Sequence, residues 1–539
     1  MMEYEKSLLC ALNMELFHEQ EMNNMSILCK KWRKYHKSAP GIFNLLIKML
    51  VFSSACYFLS FITADTDLWG HIKFGEHLWL SKAFARVDIY SYTAYGREWF
   101  NHEWLSELLM YAVFSIFGSP GLLVGKLTAG LIIIVLLSTI SFHRTHNPLV
   151  YGFVFVIAIF IMSPGFMTRP QILTFLFTAL YLFIFHLYFE RQKNLLWLMP
   201  LVMILWVNSH GGFLIGAGIL PVVLGSEIIT GSFKERKKGD FRLLIFWCVM
   251  TEISVLANPY GYRLLVFLYQ SLSLPRNIGE WEAVGILDFS YLRFKLFAIL
   301  VLVTLFFRRE TNRYWEIGII IIVLVFAFRH QRHTPIFAIA AAPYLAEKLS
   351  ILAKRMNLFS LIKSSWVYVI LNTVVVLLIG FQLFHASSRY IRTGFNIIVD
   401  PKMYPVYAVH FLKQNKIKGN ILLPFEWGEY AIWKLHPDCK VSIDGRFRTA
   451  YPEEVLDDHI RAAADGRRWK KVMDKYPSDI ILARRDPFFQ QMISGQEKWI
   501  YVYSDSISMI FVKKGDAQRE VLTNILQQSF PYISHSDAL

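Results

Sequence analysis

Trp104-Leu105-Ser106-Glu107-Leu108-Leu109-Met110-Tyr111-Ala112-Val113-Phe114-Ser115-Ile116-Phe117 is the stretch whose reading decides the fold. It is one of three apolar candidates between residues 43 and 142, beside 43–62 and 121–142. Its 14 residues rise only ~21 Å as a helix, against a bilayer core of ~30 Å. It carries Glu107 and follows Glu103. Acids cost roughly 2.5–3.5 kcal/mol each at mid-bilayer. The stretch is expected to lie in the outer interface of a membrane rather than cross it. Residues 63–120 then form one long outer loop.

The rest of the chain supplies the membrane. Of 539 residues 55% are hydrophobic and only 18% charged, where a soluble domain carries about 25% charged residues. Apolar runs such as 122–142, 172–189 and 317–328 mark bilayer segments. The formal charge of +15 does not point to nucleic acid, because the basic residues sit in short loops between apolar runs. They are Lys30, Lys31, Arg33, Lys34 and Lys37, then Arg144, then Arg191 and Lys193. Lys234, Arg236, Lys237 and Lys238 follow, then Arg308, Arg309 and Arg313, then Lys354 and Arg355. By the positive-inside rule all of these are cytoplasmic. Between two such loops the chain crosses an even number of times, so three crossings in 43–142 would break parity. Intervals 149–189, 195–231, 241–307 and 315–350 take two crossings each, and 362–384 carries the chain outward. The five cysteines give no disulfide framework, and no CxxC or HExxH spacing supports zinc.

From about residue 386 the apolar runs shorten to strand length, at 421–424, 440–443, 479–483, 499–503 and 508–512. Helical patterns at 452–464 and 468–475 alternate with them, which indicates a small α/β domain. The expected organisation is a basic cytoplasmic segment (1–41) without a cleavable signal peptide and an all-α polytopic membrane domain (42–385) of about eleven transmembrane helices. An extracytoplasmic α/β domain (386–539) follows.

The polar motifs between the spans collect on the outer side. Asp65 and Asp67 can share a divalent cation such as Mg2+ or Mn2+, or a sugar hydroxyl, and either can act as a general base. Equally, Asp67 is a good N-cap for residues 68–80. His71, four residues on, shares its helix face. Glu103, beside His102, either faces the two aspartates or serves the helix dipole. Arg169 would snorkel by default. Arg329, His330, Arg332 and His333 make either a solvated outer loop or an anion site suited to phosphate, and the second reading is preferred because the other outer loops avoid basic clusters. His210 lies in the Asn208–Gly212 turn, which the shortness of 193–208 places below the membrane surface. It bonds a substrate or the turn's own carbonyls. Glu280-Trp281 offers an acid and a ring on which a sugar can stack, or equally is a pair of surface residues. Trp427-Gly428 and Asp444-Gly445-Arg446 stand at strand ends, where a tight Asp-Gly turn is the simplest account.

This order of parts resembles the GT-C class of membrane glycosyltransferases, which includes protein O-mannosyltransferases, aminoarabinose transferases and oligosaccharyltransferases. More closely, it resembles a bacterial family of polytopic proteins related to that class. The likeness rests on Asp65-Thr66-Asp67-Leu68-Trp69-Gly70-His71, Ser91-Tyr92-Thr93, His102-Glu103-Trp104-Leu105 and Arg169-Pro170-Gln171. It continues through Asn208–Gly212, Asn258-Pro259-Tyr260-Gly261, the stretch from Arg329 to Pro335, Trp427-Gly428 and Asp444-Gly445-Arg446. The resemblance implies a sugar taken from a polyprenyl-phosphate or polyprenyl-diphosphate carrier at the outer face, with an acid of the first outer loop activating the acceptor. It departs in two places. The O-mannosyl and aminoarabinose enzymes carry adjacent Asp-Glu where this loop has Asp-Thr-Asp, and the tail lacks Trp-Trp-Asp-Tyr-Gly.

The expectation is thus a glycosyltransferase in the bacterial cytoplasmic membrane. Its catalytic residues would be Asp65, Asp67 and Glu103, with Asp65 and Asp67 as candidate metal ligands. Its substrate would meet His71, His102, Arg169, His210, Glu280, Arg329 and Arg332. The partners would be a lipid-linked sugar, membrane lipid and an acceptor of unknown kind, with no nucleic acid. A lipid carrier is needed because nucleotide sugars are confined to the cytoplasm. The rival expectation is a polytopic protein without chemistry, a lipid or glycan transporter or an assembly subunit.

Overall fold

The structure is a computed structural model. It describes residues 40–515 except 146, 232–237, 273–278, 288, 307–312 and 358–364. The basic residues of the N-terminal segment, Lys234 to Lys237 and Arg308–Arg309 lie outside the described residues.

Helix α1 is Pro40–Phe58, and α2, Leu68–Ser81, follows it in the first loop. Next comes α3, Trp104–Arg144, then α4, Pro148–Met162, and α5, Gln171–Arg191. The short α6, Leu198–Val207, precedes α7, Phe213–Thr230, and α8, Lys238–Ser254. The series ends with α9, Tyr262–Leu272, α10, Leu292–Leu305, α11, Tyr314–Arg329, α12, Thr334–Arg355, and α13, Ser365–Arg392. Every apolar run expected to cross is a helix. Seven helices among the described residues are long and apolar enough to span. The other four expected crossings, α6, α8, α10 and α11, are shorter, at 10, 17, 14 and 16 residues. Helix α6 rises only ~15 Å, half of a bilayer core. Asn208 and Ser209 in the turn after it are buried. Asn208 satisfies the local carbonyls, donating from Nδ2 to Ile204 O and Ala257 O, both at 2.8 Å.

The deciding stretch behaves as a separate limb. Helix α3 is broken at Gly118, whose φ of 64° and ψ of −159° are not helical, with Pro120 two residues on. Only glycine takes this backbone region without strain. Beyond the break, Ile133, Ile134, Leu137 and Ile140 join the core of the bundle. Before it, Met110, Tyr111, Val113 and Phe114 pack into a different core.

That second core joins the first loop to the tail. The tail adds α14, Val406–Gln414, α15, Gly428–Leu435, α16, Glu453–Ala464, α17, Trp469–Lys475, and α18, Pro487–Ser494. Its strands are β1, Gly419–Leu422, β2, Cys439–Val441, β3, Ile480–Arg484, β4, Trp499–Ser504, and β5, Ser508–Lys513. The sheet order is β2-β1-β3-β5-β4. The β1 pairings are parallel, and β3-β5 and β4-β5 are antiparallel. The exposed side of β2 is closed by the first loop, where Val441 exchanges backbone bonds with Tyr90 and Tyr92, both at 3.1 Å. Loop and tail therefore lie in one compartment.

The expected Asp-Gly turn is present, with Phe447 N donating to Asp444 O at 3.4 Å and Arg446 N to Asp444 Oδ1 at 3.0 Å. Neither Gly445 nor Gly428 has positive φ. A Cβ on Gly428 would lie 2.2 Å from Ile443 O, and one on Gly445 would strike Glu429 and Asp67. These glycines are needed for close approach, not for backbone conformation.

Candidate active site

Six segments converge on one cavity of about 950 Å3. They are the first loop, the α4–α5 turn, the α6–α7 turn, the α9–α10 connection, the α11–α12 turn and the tail.

Arg169 leaves the start of α5 and turns inward, not toward the interface. Its Nε donates to Asp65 Oδ1, its Nη2 lies 3.3 Å from Asp67 Oδ2 and its Nη1 lies 2.9 Å from Glu280 Oε1. Burial opposes the guanidinium charge, but Asp67, Asp65 and Glu280 outweigh it and hold Arg169 protonated. The two aspartates are not equivalent. Asp65 is 9% exposed, accepts from Asp67 N at 3.0 Å and does not line the cavity. Asp67 is 29% exposed and lines it. Asp67 holds the N-cap position of α2, but its side chain makes no cap bond, so capping does not account for it.

The expected cation does not fit this donor set. Arg169 already supplies positive charge to both aspartates. Among the described residues no group of three or more His, Cys, Asp or Glu has metal-holding geometry.

Glu103 is surrounded by histidines rather than aspartates. His210 Nε2 lies 3.6 Å from its Oε1, His102 Nε2 3.7 Å from the same oxygen, and His71 Nε2 3.8 Å from Oε2. Burial opposes ionisation, but His210, His102, His71 and Arg332 hold the carboxyl below its ordinary range. His210 is fixed from behind. Gly212 N donates to its Nδ1 at 3.0 Å, and Thr174 Oγ1 lies 2.8 Å from the same atom. Nδ1 is thus an acceptor, which leaves the proton on Nε2, facing Glu103. Burial lowers His210 to about 3. His71 differs, because its Nδ1 lies 3.3 Å from Glu107 Oε1 while Nε2 faces Glu103. Both nitrogens meet carboxylates, and the bond to Glu107 and the charge of Glu103 overcome burial and raise its pKa. From sequence Glu107 is only a charge that keeps a helix out of the bilayer. Here it is buried, lines the cavity and accepts from Asn101 Nδ2 at 2.6 Å.

The basic cluster after α11 is divided. Arg332 lines the cavity, with its guanidinium 4.7 Å from the centre of the Trp281 ring. Among the described residues no carboxylate forms an ion pair with it, which leaves its donors for an anion. Arg329 is exposed and is not part of the cavity lining, contrary to expectation. The last residue of α11 points away, and the 3-10 turn Gln331–His333 brings Arg332 in. His330 Nδ1 lies 2.7 Å from Trp281 O and fixes the two segments together.

Two features set the chemistry apart from a solvated loop. The cavity continues from this polar end along Ile215, Ile219, Val222, Ile319, Val323 and Phe326 of α7 and α11, an apolar floor that suits a lipid chain. Its other wall is the tail, including Phe425, Glu429, Phe447 and Arg448.

No protein-family model and no curated protein matches the chain. Among solved structures it is similar to an oligosaccharyltransferase from Archaeoglobus fulgidus, with a TM-score of 0.58 and 12% identity over 84% of this chain and 70% of that one. It is also similar to ArnT from Cupriavidus metallidurans in the apo state, with a TM-score of 0.50 and 11% identity over 88% of this chain and 98% of that one. At such identities the likeness speaks of architecture. The helical bundle, the long first loop folded onto a tail sheet and these matches together show that the chain has the GT-C fold of polytopic membrane glycosyltransferases.

Proposed function

We propose that the chain transfers a sugar from a polyprenyl-phosphate-linked donor to a hydroxyl-bearing acceptor at the outer face of the bacterial cytoplasmic membrane. One observation carries the reading. A single cavity holds an ionisable acid, Asp67, and an arginine without a carboxylate partner among the described residues, Arg332, and it runs on between apolar helices. A lipid-linked sugar phosphate has the same three parts, a reactive carbon, an anion and a long chain.

In this reading Asp67 takes the proton of the acceptor hydroxyl as its oxygen attacks the anomeric carbon. The bond from that carbon to the phosphate oxygen breaks, and the electron pair stays with the phosphate. Arg332 stabilises the charge that develops on the leaving phosphate. Asp65 acts through Arg169, fixing the cation that orients Asp67. Glu103 and its three histidines line the same cavity and bind sugar hydroxyls, with the His210 Nε2 proton as a donor. The tail presents the acceptor.

The test is direct. Purified protein incubated with polyprenyl-linked sugars from membrane lipid extract should move sugar off the carrier, and Asp67→Asn should stop it. Transfer by Asp67→Asn at the unmodified rate would refute the assignment.

A further inference from the structure

Glu429 is a carboxyl group that no sequence motif singles out. It lies in the first turn of α15, is 2% exposed and lines the same cavity as Asp67. Its Oε2 has no hydrogen-bond partner among the described residues. Burying an ionised carboxylate without a partner is far costlier than burying the neutral acid.

Its neighbours do not offer the missing charge. Arg446 is the cation that acts on it, but that guanidinium is already engaged. Arg446 Nε and Nη2 donate to the two oxygens of Asp444 at 2.8 and 2.7 Å, and Nη1 to Asp88 Oδ1 at 2.6 Å. The other charged groups that act on Glu429 are Asp67, Asp444 and Glu107, all acids. Burial first, then Asp67 and Asp444, push the Glu429 carboxyl well above the ordinary carboxylate range.

Two glycines make room for it. A Cβ on Gly445 would lie 2.5 Å from Glu429 Oε1 and 2.7 Å from Asp67 Oδ1, so both carboxyls come up to one small opening. A Cβ on Gly70 would lie 2.1 Å from Glu429 Oε2. Two carboxyls this close do not both ionise readily, and the environment decides which keeps the proton. Asp67 has Arg169 beside it, and the guanidinium nearest Glu429 is spent on Asp88 and Asp444.

We propose that Glu429 is a positioning residue of this site, an uncharged carboxylic acid that donates a hydrogen bond to Asp67 and keeps that carboxylate turned into the cavity. The proposal rests on Asp67 as the base. It makes the tail part of the catalytic apparatus as well as a wall of the cavity.

Infrared spectroscopy of the purified full chain in heavy water tests the protonation without any turnover. The unmodified protein should show the carbonyl stretch of a protonated carboxylic acid at neutral pH, and Glu429→Gln should lack it. Identical spectra would overturn the proposal, whether or not the protein transfers sugar. In the transfer assay with membrane lipid extract, Glu429→Gln keeps an N–H donor and should stay within about threefold of the unmodified rate. Glu429→Ala should lose more than about tenfold in kcat, with little change in KM for the lipid donor, as expected for a lost positioning bond. Equal losses in both variants would also overturn it. If even the unmodified protein moves no sugar, the glycosyltransferase reading fails, and the infrared band still decides the state of Glu429.

Discussion

Trp69 of α2 and Trp433 of α15 stack face to face, with ring centroids 3.9 Å apart and 9° between their planes. Phe114 of the first α3 limb meets both rings edge-on, at 6.1 and 6.4 Å. One aromatic cluster thus ties three segments around the cavity. Trp69 is fully buried, so Trp69→Ala should cost about 3–5 kcal/mol. The expected readout is a lower melting temperature in detergent and faster proteolysis between loop and tail. Trp69→Phe should fall between the two.

Asp65 and Asp67 should separate kinetically. Asp67→Asn removes the proposed base and should lower kcat by about 10^2–10^4. Asp65→Asn leaves the base in place but weakens the grip on Arg169, so its loss should be smaller. Rates for both variants at saturating lipid donor check this, and equal losses would show that the roles are not divided.

Arg169→Lys should fail despite keeping the charge. One ammonium cannot meet Asp65, Asp67 and Glu280 in the three directions that a planar guanidinium reaches. The expected loss in kcat/KM is at least about tenfold. Glu280→Gln, at the most exposed of the three contacts, should lose less.

Acid should destabilise the fold through His210. Its pKa falls from the usual 6.5 to about 3 on folding. Between those values the unfolded chain binds a proton that the folded chain does not, so stability falls as pH drops through this window. His71 works in the opposite sense. Its raised pKa gives stability that is present below about 6.5 and lost as pH rises through the folded value. His210→Gln should flatten the acid side of a plot of melting temperature against pH, and His71→Gln the alkaline side.

Gly118→Ala should strain the break in α3, where φ is positive and ψ extended. The expected cost is about 1–3 kcal/mol, measured by thermal unfolding. A neutral outcome would mean that the two limbs rejoin as one straight helix.

Much of the architecture is legible in the sequence because its signals are local. Each of the five strand-length runs in the tail is a strand within a few residues, and 452–464 and 468–475 are helical. An apolar run near 20 residues has few other solutions. The site is less legible because its parts converge from distant segments. Nothing local to Glu429 or Asp444 tells that they meet the first loop, and nothing local to Asp88 tells that it meets Arg446 of the tail. Within Arg329–His333 the residue types are plain, but a turn of helical phase decides that Arg332 faces the cavity and Arg329 does not. Glu107 was visible only as a cost to membrane insertion, since the pattern of a helix does not say what its polar face opposes.

The closing of β2 by the first loop has a consequence for synthesis. Thr93 Oγ1 donates to Ser442 O across 349 positions of sequence, and Tyr90 and Tyr92 flank the same strand. Until the tail is made, therefore, the growing polypeptide holds an unroofed half-pocket. A product stopped before the tail would lack one wall of the cavity even with every helix of the bundle inserted.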